Sequence, residues 1–243
     1  MAGRSPGTNG IAVPLIVVGA ALLLSTIVLG WYTTSLGTGS SAIGETLYPT
    51  TVRIWGSQGG STYSDAVLYP AAGMPHTGTM YLAITALLVT GGLAGLSAVY
   101  FMRTSGTHAR RQLVSALVVL AVLSAVAGPT LLVVAQPGAI CSDYVFVGTP
   151  FLTSPLNNPS GASLPCGWDI TTPGGPGSGY GHVSGSTSGP QTSLWGSGNW
   201  TGEPHTWGPD IGWYVAWGAT FVLLAGAVMH FQVGRKRDSD TPG

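Results

Sequence analysis

Residues 113–135 read LVSALVVLAVLSAVAGPTLLVVA, a run without Asp, Glu, Lys or Arg. A helix of about 20 residues crosses the hydrocarbon core of a bilayer. A backbone in lipid must satisfy its own hydrogen bonds, so such a run is a transmembrane helix. Its two ends differ. Arg110 and Arg111 stand just before it, whereas the whole stretch 136–210 that follows contains neither Lys nor Arg. Basic residues are retained on the cytoplasmic side of a span. The helix therefore enters from the cytoplasm and delivers 136–210 to the outside.

Working outward, three further runs have the same character: 11–31, 80–102 and 211–231. With 113–135 as the third, four spans result. Arg4 precedes the first, Arg103, Arg110 and Arg111 lie between the second and third, and Arg235, Lys236 and Arg237 follow the fourth. Only Arg53 falls on the other side, while Glu45, Asp65, Asp143, Asp169, Glu203 and Asp210 all do. Both termini (1–10 and 232–243) and the loop 103–112 are thus expected in the cytoplasm, and the loops 32–79 and 136–210 outside. The run 11–31 is longer than the about 7–15 residues of a signal-peptide core, so a retained helix is expected. The fold class is an all-α membrane protein: a four-helix transmembrane bundle carrying an irregular, partly β extracytoplasmic domain formed by the two outer loops.

Composition agrees with this. Charged residues are 7% of the chain, against roughly 25% in soluble domains. The net charge of zero gives nucleic acid no electrostatic hold, and none is expected as a partner. Trp31, Tyr32, Tyr81, Tyr100, Phe101, Trp213, Tyr214 and Phe231 sit near span ends, where aromatic side chains form an interfacial belt. Span two carries Ala86, Thr90, Ala94 and Ala98 at intervals of four, with Gly91 and Gly95 beside them. Small residues at that spacing let helices approach closely. Gly212, Ala216 and Thr220 do the same in span four. Gly128-Pro129 is expected to kink or loosen the outer third of span three.

The outer loops are Gly-, Ser- and Thr-rich. In the first, 50–55 and 64–69 read as strands about a turn at 56–61. Arg53 there suits a local ion pair or hydrogen bonds to loop carbonyls. In the second, 144–147 alternates weakly as a strand does. Cys141 and Cys166, the only cysteines, would form a disulfide in an oxidising compartment. Trp195 and Trp200 flank Gly196-Ser197-Gly198-Asn199, which reads as a hairpin tip with paired indoles. Asn199-Trp200-Thr201 is an N-glycosylation sequon.

Signatures of chemistry are sparse. No ionisable side chain lies inside a span except His230, at the inner end of the fourth, so neither proton relay nor membrane haem is indicated. No cofactor is expected, and no catalytic constellation stands out. Met74, His76, His182 and His205 mix thioether and imidazole donors of the kind that suit copper, although scattered loop histidines are more often solvated. Trp168, Trp195, Trp200 and Trp207 are the candidates for stacking on a glycan or another polar ligand. Thr85, Thr90, Ser115 and Ser124 are the candidates for a polar path for a neutral solute, although such hydroxyls usually bond back to their own helix.

Four spans, inner termini and a larger, cysteine-bearing second outer loop resemble the layout of tetraspanins. The resemblance covers topology alone: Pro165-Cys166-Gly167 stands where that family has Cys-Cys-Gly. Claudins keep a cysteine pair in the first outer loop, and this chain has none there. No family follows from it. The function expected is that of a non-catalytic structural or accessory membrane protein. Its partners would be the lipid bilayer and other membrane subunits or further copies of itself.

Overall fold

A computed structural model describes residues 9–36, 42–58, 60–72, 74–103, 108–146, 185–193 and 196–239. Four long helices are present: α1 (Asn9–Ser25), α2 (Pro75–Arg103), α3 (His108–Phe146) and α4 (Ile211–Ser239). They contain spans at Gly10–Val28, Pro75–Arg103, Ala109–Gln136 and Ile211–Gln232 that are long and apolar enough to cross a membrane. The chain is a multi-pass membrane protein. It divides into a helical unit (1–27, 84–130 and 214–243) and a sheet unit (28–83 and 131–213).

The helical unit is a bundle whose contacts are made by small residues. Gly19 of α1 faces α4 so closely that a Cβ on it would lie 2.7 Å from Leu223 Cγ and 3.0 Å from the Leu223 backbone nitrogen. Gly91 of α2 meets Leu23, Ser124 and the Ala121 carbonyl, and Gly95 meets Ala20. Ala94 and Ala98 are buried with them. Ala86 and Thr90 point away, exposed on the surface of the unit. The buried face of α2 is therefore 91, 94, 95 and 98. The spacing of four that begins at Ala86 drifts off this face because an α-helix turns in 3.6 residues.

Pro129 neither ends nor breaks α3, which runs on to Phe146. Proline supplies no N–H, so the carbonyl four residues earlier, that of Ala125, loses its helical donor. The Thr220 hydroxyl of α4 reaches that carbonyl at 2.8 Å, and lies 2.8 Å from the Ala216 carbonyl of its own helix. A neighbouring helix thus satisfies the group that proline orphans, as backbone in lipid requires. Thr220→Val keeps the shape and removes the donor. It should lower stability by about 1 kcal/mol, read as a reduced unfolding midpoint in detergent, with Thr220→Ser close to wild type. The strand expected at 144–147 is likewise replaced by helix as far as Phe146.

The sheet unit is more regular than its composition suggests. Six antiparallel strands stand in the order β4-β3-β2-β1-β6-β5: β1 (Tyr32–Leu36), β2 (Ile43–Leu47), β3 (Thr51–Gln58), β4 (Ser61–Leu68), β5 (Gly185–Ser193) and β6 (Gly196–Pro209). The β3–β4 hairpin lies where the alternation placed it but with longer strands. Its turn uses Gly60 at φ +85°, a backbone conformation that glycine adopts without strain. β1 and β2, from the Ser/Thr/Gly-rich start of the loop, were not expected as strands.

β1 joins the two loops into one sheet. Tyr32 pairs with Leu47 on one side and Pro209 on the other. The pairing continues beyond the strand: Asp210 N–H donates to the Trp31 carbonyl (2.9 Å) and Gly212 N–H to that of Gly30 (2.7 Å). Asp210 then starts α4 by accepting the Ile211 N–H on its carboxylate (2.7 Å). In the β5–β6 pairing Ser193 stands opposite Gly196, and Trp200 opposite Gln191. Residues 196–199, expected as a hairpin tip, therefore belong to strand β6, whereas Trp195 lies outside the described residues. Glycine-rich strand ends permit either register, and pairing along the whole β6 selects this one.

Candidate functional site

Alternation along the sheet gives it one buried face. Tyr32 of β1, Glu45 and Leu47 of β2 and Val52 of β3 are all buried. The opposite face carries a polar ladder. Thr33 Oγ1 donates to the Glu45 carbonyl (3.1 Å), and Trp55 Nε1 donates to Thr46 Oγ1 (3.3 Å). Arg53, on that second face, is exposed, with its guanidinium carbon 5.4 Å from the centroid of the Tyr48 ring. That distance is within the range of a cation–π contact.

Glu45 is the exception on the buried face. It sits between Ile43 and Leu47 in the apolar phase of the strand and is only 2% exposed. Its Oε2 makes no hydrogen bond with any protein group. Burial pushes its carboxyl up from the ordinary 4.5 to about 7, because a charge in a low-dielectric surrounding is disfavoured.

The groups that feel its charge are phenols, those of Tyr32, Tyr69 and Tyr81. Burial first, and Glu45 second, raises the Tyr32 and Tyr69 hydroxyls well above the usual phenol range. The Tyr69 and Tyr81 rings stack with centroids 5.4 Å apart and planes 21° apart. Tyr69 can lie this close to α2 because Gly78 leaves room; a Cβ there would meet the Tyr69 Cβ at 2.5 Å. The Tyr69 hydroxyl donates to the Tyr48 carbonyl. Gln136 of α3, wholly buried, brings its amide to the Tyr81 hydroxyl. Neither its Nε2 nor its Oε1 completes a hydrogen bond of ordinary geometry.

Two β-strands, the segment after β4 and two helices thus converge on one buried polar cluster. The interfacial-belt rule puts Trp31, Tyr32 and Tyr81 at the membrane surface. Instead Trp31 and Tyr81 are fully buried and Tyr32 nearly so, whereas Tyr100, Tyr214 and Phe231 are exposed. A signal was present: Ile43-Gly44-Glu45-Thr46-Leu47 puts an acid in the apolar phase of a two-residue alternation.

The residues singled out from sequence are dispersed. Trp168, Trp195, Cys166 and His182 lie outside the described residues, as does the side chain of Cys141 near the end of α3. The disulfide therefore falls outside what is described. Asn199, Trp200, His205 and Trp207 all lie on β6, with His205 opposite Leu36 and Trp207 opposite Thr34. Met74 is buried just before α2, and His76 is exposed in its first turn. Among the described residues, no three His, Cys, Asp or Glu side chains gather as a metal would need. Of the hydroxyls considered for a solute path, Thr90 is exposed on α2 and Ser124 is buried against Gly91. Comparison of the chain with protein-family models and with curated proteins finds no match.

Proposed function

We propose that this protein is a non-catalytic structural or accessory subunit of a membrane or cell-surface assembly. Its termini lie in the cytoplasm, its sheet outside, and its partners are other membrane subunits or further copies of itself. The observation that carries this reading is the edge strand β4, which no strand flanks on its outer side among the described residues. All of its residues are exposed except Val67, which is half-buried. Its register with β3 is unbroken from Thr51↔Leu68 to Gln58↔Ser61, without a bulge. It holds no proline, no lysine and no arginine, and one acid, Asp65.

An unpaired strand edge is a template for another chain, and proteins that do not use one blunt it with charge, proline or bulges. Here one amide is covered, the Ala66 N–H taken by Asp65 Oδ1 at 2.9 Å. A long, flat and nearly uncharged edge is a surface kept for pairing. The test is native electrophoresis and mass spectrometry after gentle solubilisation. The wild type should migrate as a complex, with itself or with a second protein. Ala66→Lys with Leu68→Lys should reduce that complex at least about tenfold, with the thermal midpoint of the released chain unchanged. A wild-type monomer in several mild detergents would refute the reading.

A further inference from the structure

We propose that the sheet face carrying Arg53 binds the phosphodiester group of an anionic glycerophospholipid, with Arg53 as the residue that holds it. The proposal is separate from pairing at β4, since it uses side chains on a face and no backbone edge. Residues directly opposite one another in an antiparallel sheet share a face. The register therefore puts Thr33, Thr46, Arg53 and Ala66 in one row, and Gly44, Trp55 and Ser64 in the next on the same face. Glu45, Ile54 and Asp65 form the row between them on the opposite face. Strands β1–β4 hold no acid besides Glu45 and Asp65. Arg53 is thus the one charge that these four strands place on its face, and it is exposed there.

The height of that row above the spans selects the ligand. On one side Thr33 pairs with Gly208, three residues before Ile211, where the fourth candidate span begins. On the other, Ala66 stands three residues before Tyr69, which lies against Gly78 in the first turns of the second span. Strand residues advance by about 3.4 Å, so both ends of the row lie within about 10 Å of a span end. The headgroup layer extends roughly 5–8 Å beyond the hydrocarbon on each side, and the long stem of arginine lets its guanidinium reach that layer. Side chains on this face follow the same order. Leu68, 62% exposed, and the Tyr48 ring stand nearest the spans, Arg53 and Trp55 come next, and the hydroxyls of Ser57 and Thr62 lie beyond. Exposed leucine, aromatic ring, cation and hydroxyls match acyl chain, interface, phosphate and water. A guanidinium donates paired N–H groups to a phosphate. A single cation with no acid on its face suits a headgroup whose phosphate is its only charge, because a zwitterionic headgroup brings its own cation.

The test is native mass spectrometry of the delipidated, full-length protein titrated with phosphatidylglycerol or phosphatidylcholine. Arg53→Gln should weaken one phosphatidylglycerol-binding step about fivefold. Arg53→Lys should fall between the two, since an ammonium keeps the charge and loses the fork. Arg103→Gln, at the other end of the second span, controls for lipid held elsewhere, and the effect of Arg53→Gln should persist in that background. Equal phosphatidylglycerol binding by wild type and Arg53→Gln would overturn the proposal. So would an Arg53-dependent step that phosphatidylcholine fills equally well, or one that excess inorganic phosphate empties, which would mark a site for a free anion. Arg53 is exposed, so its replacement should leave the thermal midpoint in lipid-free detergent unchanged. If Arg53→Gln does not fold, Arg53→Lys decides by the same comparison.

Discussion

Glu45→Gln should be more stable than the wild type at pH 8 and close to it at pH 4. The carboxyl is raised from 4.5 to about 7 in the folded protein by burial. Between those values the folded state holds a proton that the unfolded chain has released. Stability then falls as pH rises, in proportion to the difference in bound protons. The contribution is complete below about 4.5 and lost as pH passes through about 7. A shift of this size is worth about 3 kcal/mol. Glutamine cannot titrate and keeps a similar shape, so it should flatten the profile between pH 4 and 8. Near-ultraviolet circular dichroism of the buried Trp31 and tyrosines during chemical unfolding measures this. An unchanged slope in the variant would show that another group sets the pH dependence.

The second large effect belongs to the helical unit. Gly19→Leu should destabilise the bundle by about 1–3 kcal/mol, lowering the unfolding midpoint in detergent. The clash is not with a flexible tip alone. A Cβ at Gly19 meets Leu223 Cγ at 2.7 Å, but also the Leu223 nitrogen at 3.0 Å and the Ala219 carbonyl at 3.1 Å. Shortening the partner with Leu223→Ala should therefore rescue Gly19→Ala only in part. Gly218 on α4 meets nothing within 4 Å, so Gly218→Ala is the control and should be neutral. If Gly19→Leu and Gly218→Ala behaved alike, close approach of α1 and α4 would not be what holds this part of the bundle.

The helices were legible in the sequence because lipid imposes a rule that composition alone reveals: about 20 apolar residues without charge. The sheet was legible only where local signals sufficed. The β3–β4 hairpin has alternation and a Gly-Gly turn, whereas Tyr32–Leu36 and Ile43–Leu47 have little intrinsic signal and gain their structure from neighbours distant in sequence. The same dependence hid the candidate site. Glu45 looks like one more acid in a loop until β1 and β3 flank it and burial removes it from water. The aromatic residues at the span ends were assigned by proximity to the membrane. That rule does not separate Tyr100, which is exposed, from Tyr81, which is enclosed. Pro129 was read for the helix it should disturb, and the compensating hydroxyl of Thr220 lies 91 positions later.

The position of β1 between β2 and β6 has a consequence for how the chain is made. Leu36 finds its partner His205 only after roughly 170 further residues have been synthesised, which takes on the order of ten to thirty seconds at ordinary translation rates. For that interval β1 has only β2 beside it, and β1–β4 have no β6 to cover the β1 edge. The nascent protein must cross this window with β1 shielded, and β6 closes it as the last span enters the membrane. The order of insertion is thereby also the order in which one of the two sticky edges is removed.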